Sequence, residues 1–154
     1  MNESATAGKI VRPAASSDAV RRRMQSTPRR DTRPEIALRS QLHKLGFRYR
    51  VDIAPCPGIR SRADLVFKGP RLVVFVDGCF WHSCPIHGSV PRTNEAWWSE
   101  KLDRNKLRDA NTNRELRQLG WKVIRVWEHE DSMVAANRIA KYIRKIQSLN
   151  GPNT

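Results

Sequence analysis

Two short stretches of the chain are apolar at nearly every position, Ala63-Asp64-Leu65-Val66-Phe67 and Leu72-Val73-Val74-Phe75-Val76, with Lys68-Gly69-Pro70-Arg71 between them. Strands with one wet face alternate apolar and polar residues, whereas strands buried on both faces do not. The intervening turn residues therefore predict an antiparallel hairpin covered by helices on both sides. A further strand is predicted over Phe47–Val51, where apolar and basic residues alternate, and another over Trp121–Trp127.

Helical patterns surround these strands. Thr32-Arg33-Pro34-Glu35 has the form of a capping box with proline in the first turn, and Ile36, Leu38, Leu42 and Leu45 supply an apolar stripe that Gly46 ends. A long polar helix is predicted from about Asn94 to Leu119, stopping at Gly120, and Met133, Ala136, Ala140 and Ile143 form one stripe on a closing helix. Ser17-Asp18 would cap a short basic helix through Met24. The order α, α, β, β, β, α, β, α implies an α/β fold, a mixed sheet with helices on both faces. Residues 1–15, rich in Ala, Ser, Gly and Pro, read as a disordered tail, 16–149 as a single domain and 150–154 as a flexible C-terminus.

Composition narrows the partner. The 154 residues suit one domain, and 29 basic against 15 acidic residues give a net charge of +14. That excess predicts a polyanionic partner, with nucleic acid foremost. No apolar stretch approaches the roughly 20 residues of a membrane span, and Met1–Pro13 lacks the apolar core of a signal peptide. A cytoplasmic protein without a membrane partner is expected. The odd number of cysteines, three, argues against a disulfide framework and leaves metal binding or burial. Cys56, alone in Pro-Cys-Pro-Gly, reads as an uninvolved thiol.

The chemistry concentrates in Gly78-Cys79-Phe80-Trp81-His82-Ser83-Cys84-Pro85-Ile86-His87. Cys79, Cys84 and His87 offer three close ligands of the kind zinc favours, and a closed site needs a fourth. His82 lies between the cysteines, but His129, just past the Trp121–Trp127 strand, reaches the same sheet end if that strand runs beside Leu72–Asp77, which leaves His82 free for chemistry. The plainer alternative is buried thiols and surface histidines. Asp64 interrupts an apolar strand, where a carboxylate is costly unless paired or metal-bound. A hairpin symmetric about Gly69-Pro70 sets Asp64 near Phe75 and on one face with Asp77, so the two could share Mg²⁺. Alternatively Asp64 pairs with Arg60 or Arg62, and Asp77-Gly78 is a turn. Of the adjacent aromatics Phe80-Trp81 and Trp97-Trp98, one of each pair must leave the core, suiting contact with bases; Trp121 and Trp127 read as core, and Arg21–Arg33 as a phosphate-contacting arm.

These residues resemble the very short patch repair DNA mismatch endonucleases, a branch of the restriction-endonuclease-like fold. The likeness runs from about Arg23 to Glu130 through Asp31-Thr32-Arg33-Pro34-Glu35, Arg62-Ala63-Asp64, Val76-Asp77-Gly78-Cys79-Phe80-Trp81-His82, Ala96-Trp97-Trp98-Ser99-Glu100-Lys101 and Gly120-Trp121 to Glu128-His129. It implies a Mg²⁺-dependent enzyme that nicks one strand of double-stranded DNA beside a T:G mispair. Asp64 and the backbone carbonyl of Val76 would hold magnesium, His82 would activate water and Glu35 would support it. Phe80, Trp81 and Trp98 would form the wedge entering the duplex. Cys79, Cys84, His87 and His129 would bind structural zinc, although the best-known pattern has His and Cys at the positions of Cys84 and His87, and Cys at that of His129. Asp77 stands where the family example carries histidine, and Val76 where it carries threonine. A monomer is expected, with mismatch-repair proteins as further candidate partners. The alternatives are a restriction-type or nicking endonuclease without T:G preference and a non-catalytic zinc-stabilised DNA-binding module.

Overall fold

The computed structural model describes residues 30–151, which form a four-stranded sheet flanked by three helices. The elements are α1 (Arg33–Lys44), β1 (Arg50–Ile53), β2 (Ala63–Phe67), β3 (Leu72–Asp77), α2 (Glu95–Gln118), β4 (Lys122–Trp127) and α3 (Ser132–Leu149). The N-terminal tail, the basic helix expected over Ser17–Met24, most of the Arg21–Arg33 arm and residues 152–154 lie outside the described residues.

Strand order is β1-β2-β3-β4, antiparallel except for the β3–β4 pair, which is parallel and joined through α2. Leu65 pairs with Val74 and Val66 with Val73, so Asp64 falls opposite Phe75, as hairpin symmetry predicts. The unbroken apolar runs are explained by two cores. On one sheet face Leu65, Phe67, Leu72, Val74 and Val126 meet Leu38 and Leu42 of α1 and Ala136, Ile139 and Ile143 of α3. On the other, Val66, Val73, Phe75 and Val123 pack with Leu116 of α2 and with Trp121. Burying a large apolar side chain stabilises by roughly 1.5–3 kcal/mol, so helices on both faces secure the hairpin.

Several expectations need correction. Ile36 is 52% exposed and Met133 57%, and Leu45 is also exposed. The buried stripes are narrower, Leu38 and Leu42 on α1 and Ala135, Ala136, Ile139, Ala140 and Ile143 on α3: at 3.6 residues per turn Ile36 falls on the side of α1 away from Leu38 and Leu42, and Leu45 lies past the helix end. The first strand begins at Arg50 rather than Phe47; Phe47 and Tyr49 instead pack against the first core from the connecting segment. The Thr32 side chain makes no cap bond. Glu35 closes the helix start by accepting from the backbone N–H of Asp31 at 2.8 Å, one residue upstream of the reciprocal bond in a capping box. Gly46 and Gly120 adopt positive φ, +87° and +85°, the left-handed turn that ends α1 and α2.

Candidate active site and metal centre

The parallel pairing of β3 with β4 puts Asp77 beside Trp127. The segments leaving those strand ends therefore start together, and they carry most of the chemistry. Glu128 fastens them: its N–H donates to the Asp77 carbonyl at 2.9 Å and its Oε1 accepts from the N–H of Cys79 at 2.9 Å.

Cys79, Cys84, His87 and His129 converge here, with one ligand atom of each within 4.8 Å of all the others. His129 Nδ1 is 3.1 Å from Cys79 Sγ and 3.7 Å from Cys84 Sγ. Ligands around a tetrahedral ion with bonds of about 2.0–2.3 Å lie about 3.3–3.8 Å apart, so the donor set fits such an ion. His82 is not a member of this cluster. Burial, reinforced by the adjacent Cys84 sulfur, pushes the Cys79 thiol up. For Cys84, burial acts the same way but is outweighed by backbone N–H groups of His87, Ile86 and Gly88 and by Cys79, so its thiol is lowered. A metal ligand must be a thiolate, and the amides of this turn favour one. The turn requires glycine at 88: an added Cβ would stand 2.4 Å from the Cys84 carbonyl oxygen.

His82 faces a second cluster. Its Nδ1 is 2.5 Å from Asp109 Oδ2 and 3.8 Å from Asp77 Oδ1. Burial would lower its pKa, but the Asp109 hydrogen bond and the charges of Asp77 and Asp109 outweigh that and hold it above the usual histidine value. Asp77, buried at 4% exposure, accepts from Arg125 Nη1 with both oxygens, at 3.0 and 3.1 Å. Asp77 is thus paired with an arginine.

Asp64 lies at the start of β2, half-buried, and accepts from the N–H of Val76 at 2.6 Å. Arg62 pairs with Asp52 instead, and among the described residues no cationic side chain pairs with Asp64. Burial raises its pKa to about 6 despite the Val76 hydrogen bond, with the negative charges of Glu35, Asp77 and Asp52 adding to the rise. Glu35 is itself buried. A carboxylate in negative surroundings, accepting one backbone N–H, is short of a cation, and a hard divalent ion fits that demand.

The aromatics form one group. Phe80, Trp81 and Trp98 pack edge to face or tilted, with ring centres 5.0 to 5.9 Å apart. Trp98 is the buried member, and Phe80 and Trp81 cover it while remaining partly exposed. Trp97 is partly exposed beneath Lys101, whose Nζ lies 5.2 Å from the ring centre. Trp121 is core as expected, but Trp127 is not fully buried: it stacks on His129 with planes 11° apart.

Sequence reasoning missed Asp109, Arg125 and Asn113, which accepts from Arg125 Nε at 2.9 Å. A signal exists for the α2 pair. Trp98, Leu102, Thr112 and Leu116 are the buried residues of that helix, and Asn105, Asp109 and Asn113 interrupt the same face at helical spacing. Polar residues on an inward stripe mark a site.

Residues 15–87 match the family described as DNA mismatch endonuclease Vsr. The chain is 44% identical over 137 residues to the type II nicking enzyme V.NaeI of Lentzea aerocolonigenes, covering 88% of this chain and 82% of that protein. It is 42% identical to the type II nicking enzyme V.XorIIP of Xanthomonas oryzae pv. oryzae, over 73% of this chain and 82% of the relative. To the DNA mismatch endonuclease Vsr of Escherichia coli it is 40% identical, over 68% of this chain and 66% of the relative. No helix among the described residues is long and apolar enough to cross a membrane.

Proposed function

Because the chain belongs to the Vsr family of DNA nicking endonucleases, we propose that it hydrolyses one phosphodiester of double-stranded DNA beside a T:G mispair. The observation that carries this reading is the partly exposed Phe80–Trp81 pair, braced on Trp98 and followed directly by His82. Inserting aromatic side chains between base steps costs a few kcal/mol of unstacking, and a mispair lowers that cost. The wedge therefore acts as a selective device next to the hydrolytic group.

His82 is the general base. Asp109 engages Nδ1, which leaves Nε2 to take the proton from the attacking water. The water oxygen bonds to phosphorus, the bond to the 3′ oxygen breaks, and the departing oxygen takes a proton from a solvent water, so that the products carry a 5′-phosphate and a 3′-hydroxyl. Asp64 and the Val76 carbonyl would hold Mg²⁺, which supplies charge neutralisation at the phosphate and acidifies water; Glu35 supports that site through its charge on Asp64. Cys79, Cys84, His87 and His129 would hold zinc as a closed structural site. The mixed sheet with an acidic residue at its hairpin supports a restriction-endonuclease-like fold, acting as a monomer.

A second reading follows from the relatives named type II nicking enzymes: nicking without T:G preference. One experiment separates the two. Purified enzyme with Mg²⁺ is given matched and T:G duplexes with randomised flanks, and the ends are mapped. Cleavage of T:G duplex at least about 10-fold faster is expected from a mispair relieving roughly 1.4 kcal/mol of unstacking; equal rates would sink the mismatch assignment.

A further inference from the structure

Arg125 enters the site from β4 at the position paired with Phe75, and its guanidinium lies 4.3 Å from the centre of that ring. Its Nε donates to Asn113 at 2.9 Å, its Nη1 reaches both oxygens of Asp77, and Nη1 is 3.7 Å from Asp109 Oδ1. The two carboxylates it touches are the same two that flank Nδ1 of His82. Two anions so close to one imidazole would repel each other and compete for its N–H. A fixed cation between them removes both problems.

We propose that Arg125 is a positioning residue, a built-in cation that fixes Asp77 and Asp109 around Nδ1 of His82 so that the ring presents Nε2 to the reaction. This rests on His82 acting as the base. The planar fork of arginine suits the task, since it holds Asp77, Asn113 and the Phe75 face at once, whereas lysine offers only a point charge. The pairing also gives the buried Asp77 its role. Removing one partner of a buried ion pair strands the other, while removing both leaves little uncompensated charge.

The test uses the full chain with Mg²⁺ and a T:G duplex, measuring the single-turnover nicking rate and duplex affinity separately. The ¹⁵N signals of the His82 ring are recorded without DNA. Arg125→Gln is expected to lower the rate by roughly 30-fold or more, within the range attributed to a positioned base, with duplex affinity nearly unchanged. Adding Asp77→Asn should restore most of that rate and return the ring signals, and Arg125→Lys should fall between. Should Arg125→Gln fail to fold, the Lys and double variants carry the same comparison. A folded Arg125→Gln enzyme with the wild-type rate overturns the proposal, as does a double variant no better than the single. So does a defect confined to duplex affinity, which would make Arg125 a DNA contact. The ring signals need no catalysis and keep two failures apart. If they are unchanged in Arg125→Gln, the positioning role is wrong; if His82→Ala still nicks, the base assignment is wrong.

Discussion

Cys79 and His82 sit in the same turn beyond β3, yet the groups gathered around them differ in what holds them together. Around Cys79 are two thiols and two imidazoles with no side-chain cation among them, and both histidines are exposed. Around His82 are two carboxylates already bridged by Arg125, with Asp77 almost fully buried. Two thiolates in contact would call for a metal ion to hold them, whereas the second cluster carries a cation of its own, Arg125, between its carboxylates. The difference suits the proposed division, with the first cluster serving architecture and the second reaction chemistry, although their residues interleave in the segment Gly78–His87.

The largest expected effect comes from removing a ligand of the first cluster. Cys84→Ser should abolish stoichiometric zinc and lower the melting temperature by more than about 10 °C, since structural zinc contributes many kcal/mol to small folds and each kcal/mol moves a domain of this size by about 2–4 °C. A chelator should lower the wild type to the same level and leave the variant unmoved. Zinc content and thermal melts check this. A variant that keeps its metal would break the division between clusters, and so would loss of zinc in His82→Ala.

His82→Ala should lower nicking by about 10²–10⁴-fold with zinc and melting temperature unchanged. The pH profile carries the sign. A base works in its neutral form, and the folded pKa of His82 lies above the ordinary 6.5. The rate should therefore rise with pH past 6.5 before levelling, and Asp109→Asn should move the break to lower pH. Stability runs the other way. A raised histidine pKa contributes stability fully present below about 6.5 and lost as pH rises through the folded value. A rate profile that levels below 6.5 would remove Asp109 from its role.

How legible this site was depended on which element carried each residue. The hairpin could be read with its register because Leu65–Phe67 and Leu72–Val76 are buried on both faces and the turn residues fix their alignment. His129 could be brought to the cysteines because an apolar run ends beside it and strand adjacency does the rest. Asp109 could not. It lies on a helix of 24 residues that is polar on most sides, where an inward carboxylate resembles a solvated one until the helix is docked. Arg125 was hidden for the opposite reason, since a single charge inside the apolar run Val123-Ile124-Arg125-Val126 does not show what it pairs with until β3 and α2 lie beside it. Ile36 misled because, at 3.6 residues per turn, it falls on the side of α1 away from Leu38 and Leu42.

Asp64 belongs to neither cluster, and its most pointed test turns on a shift of only a few degrees in melting temperature. Its folded pKa near 6 stands above the ordinary 3.8, so the folded state binds this proton more tightly than the unfolded one. Stability from this group then falls as pH rises from about 4 to about 6 and stays lost above it. In Mg²⁺-free enzyme at pH 7 the ionised carboxylate is a net cost, on the order of 1–2 kcal/mol once its partial exposure is allowed for. Asparagine keeps an oxygen for the Val76 N–H and carries no charge. Asp64→Asn should therefore abolish nicking while raising the melting temperature by a few degrees at pH 7, with little change near pH 3.5. Added Mg²⁺ should stabilise the wild type and not the variant, because only the ionised carboxylate attracts the ion. A lower melting temperature at pH 7 would mean that Asp64 is held by the protein as Asp77 is, and that the reactive end of the sheet supplies all of its own cations.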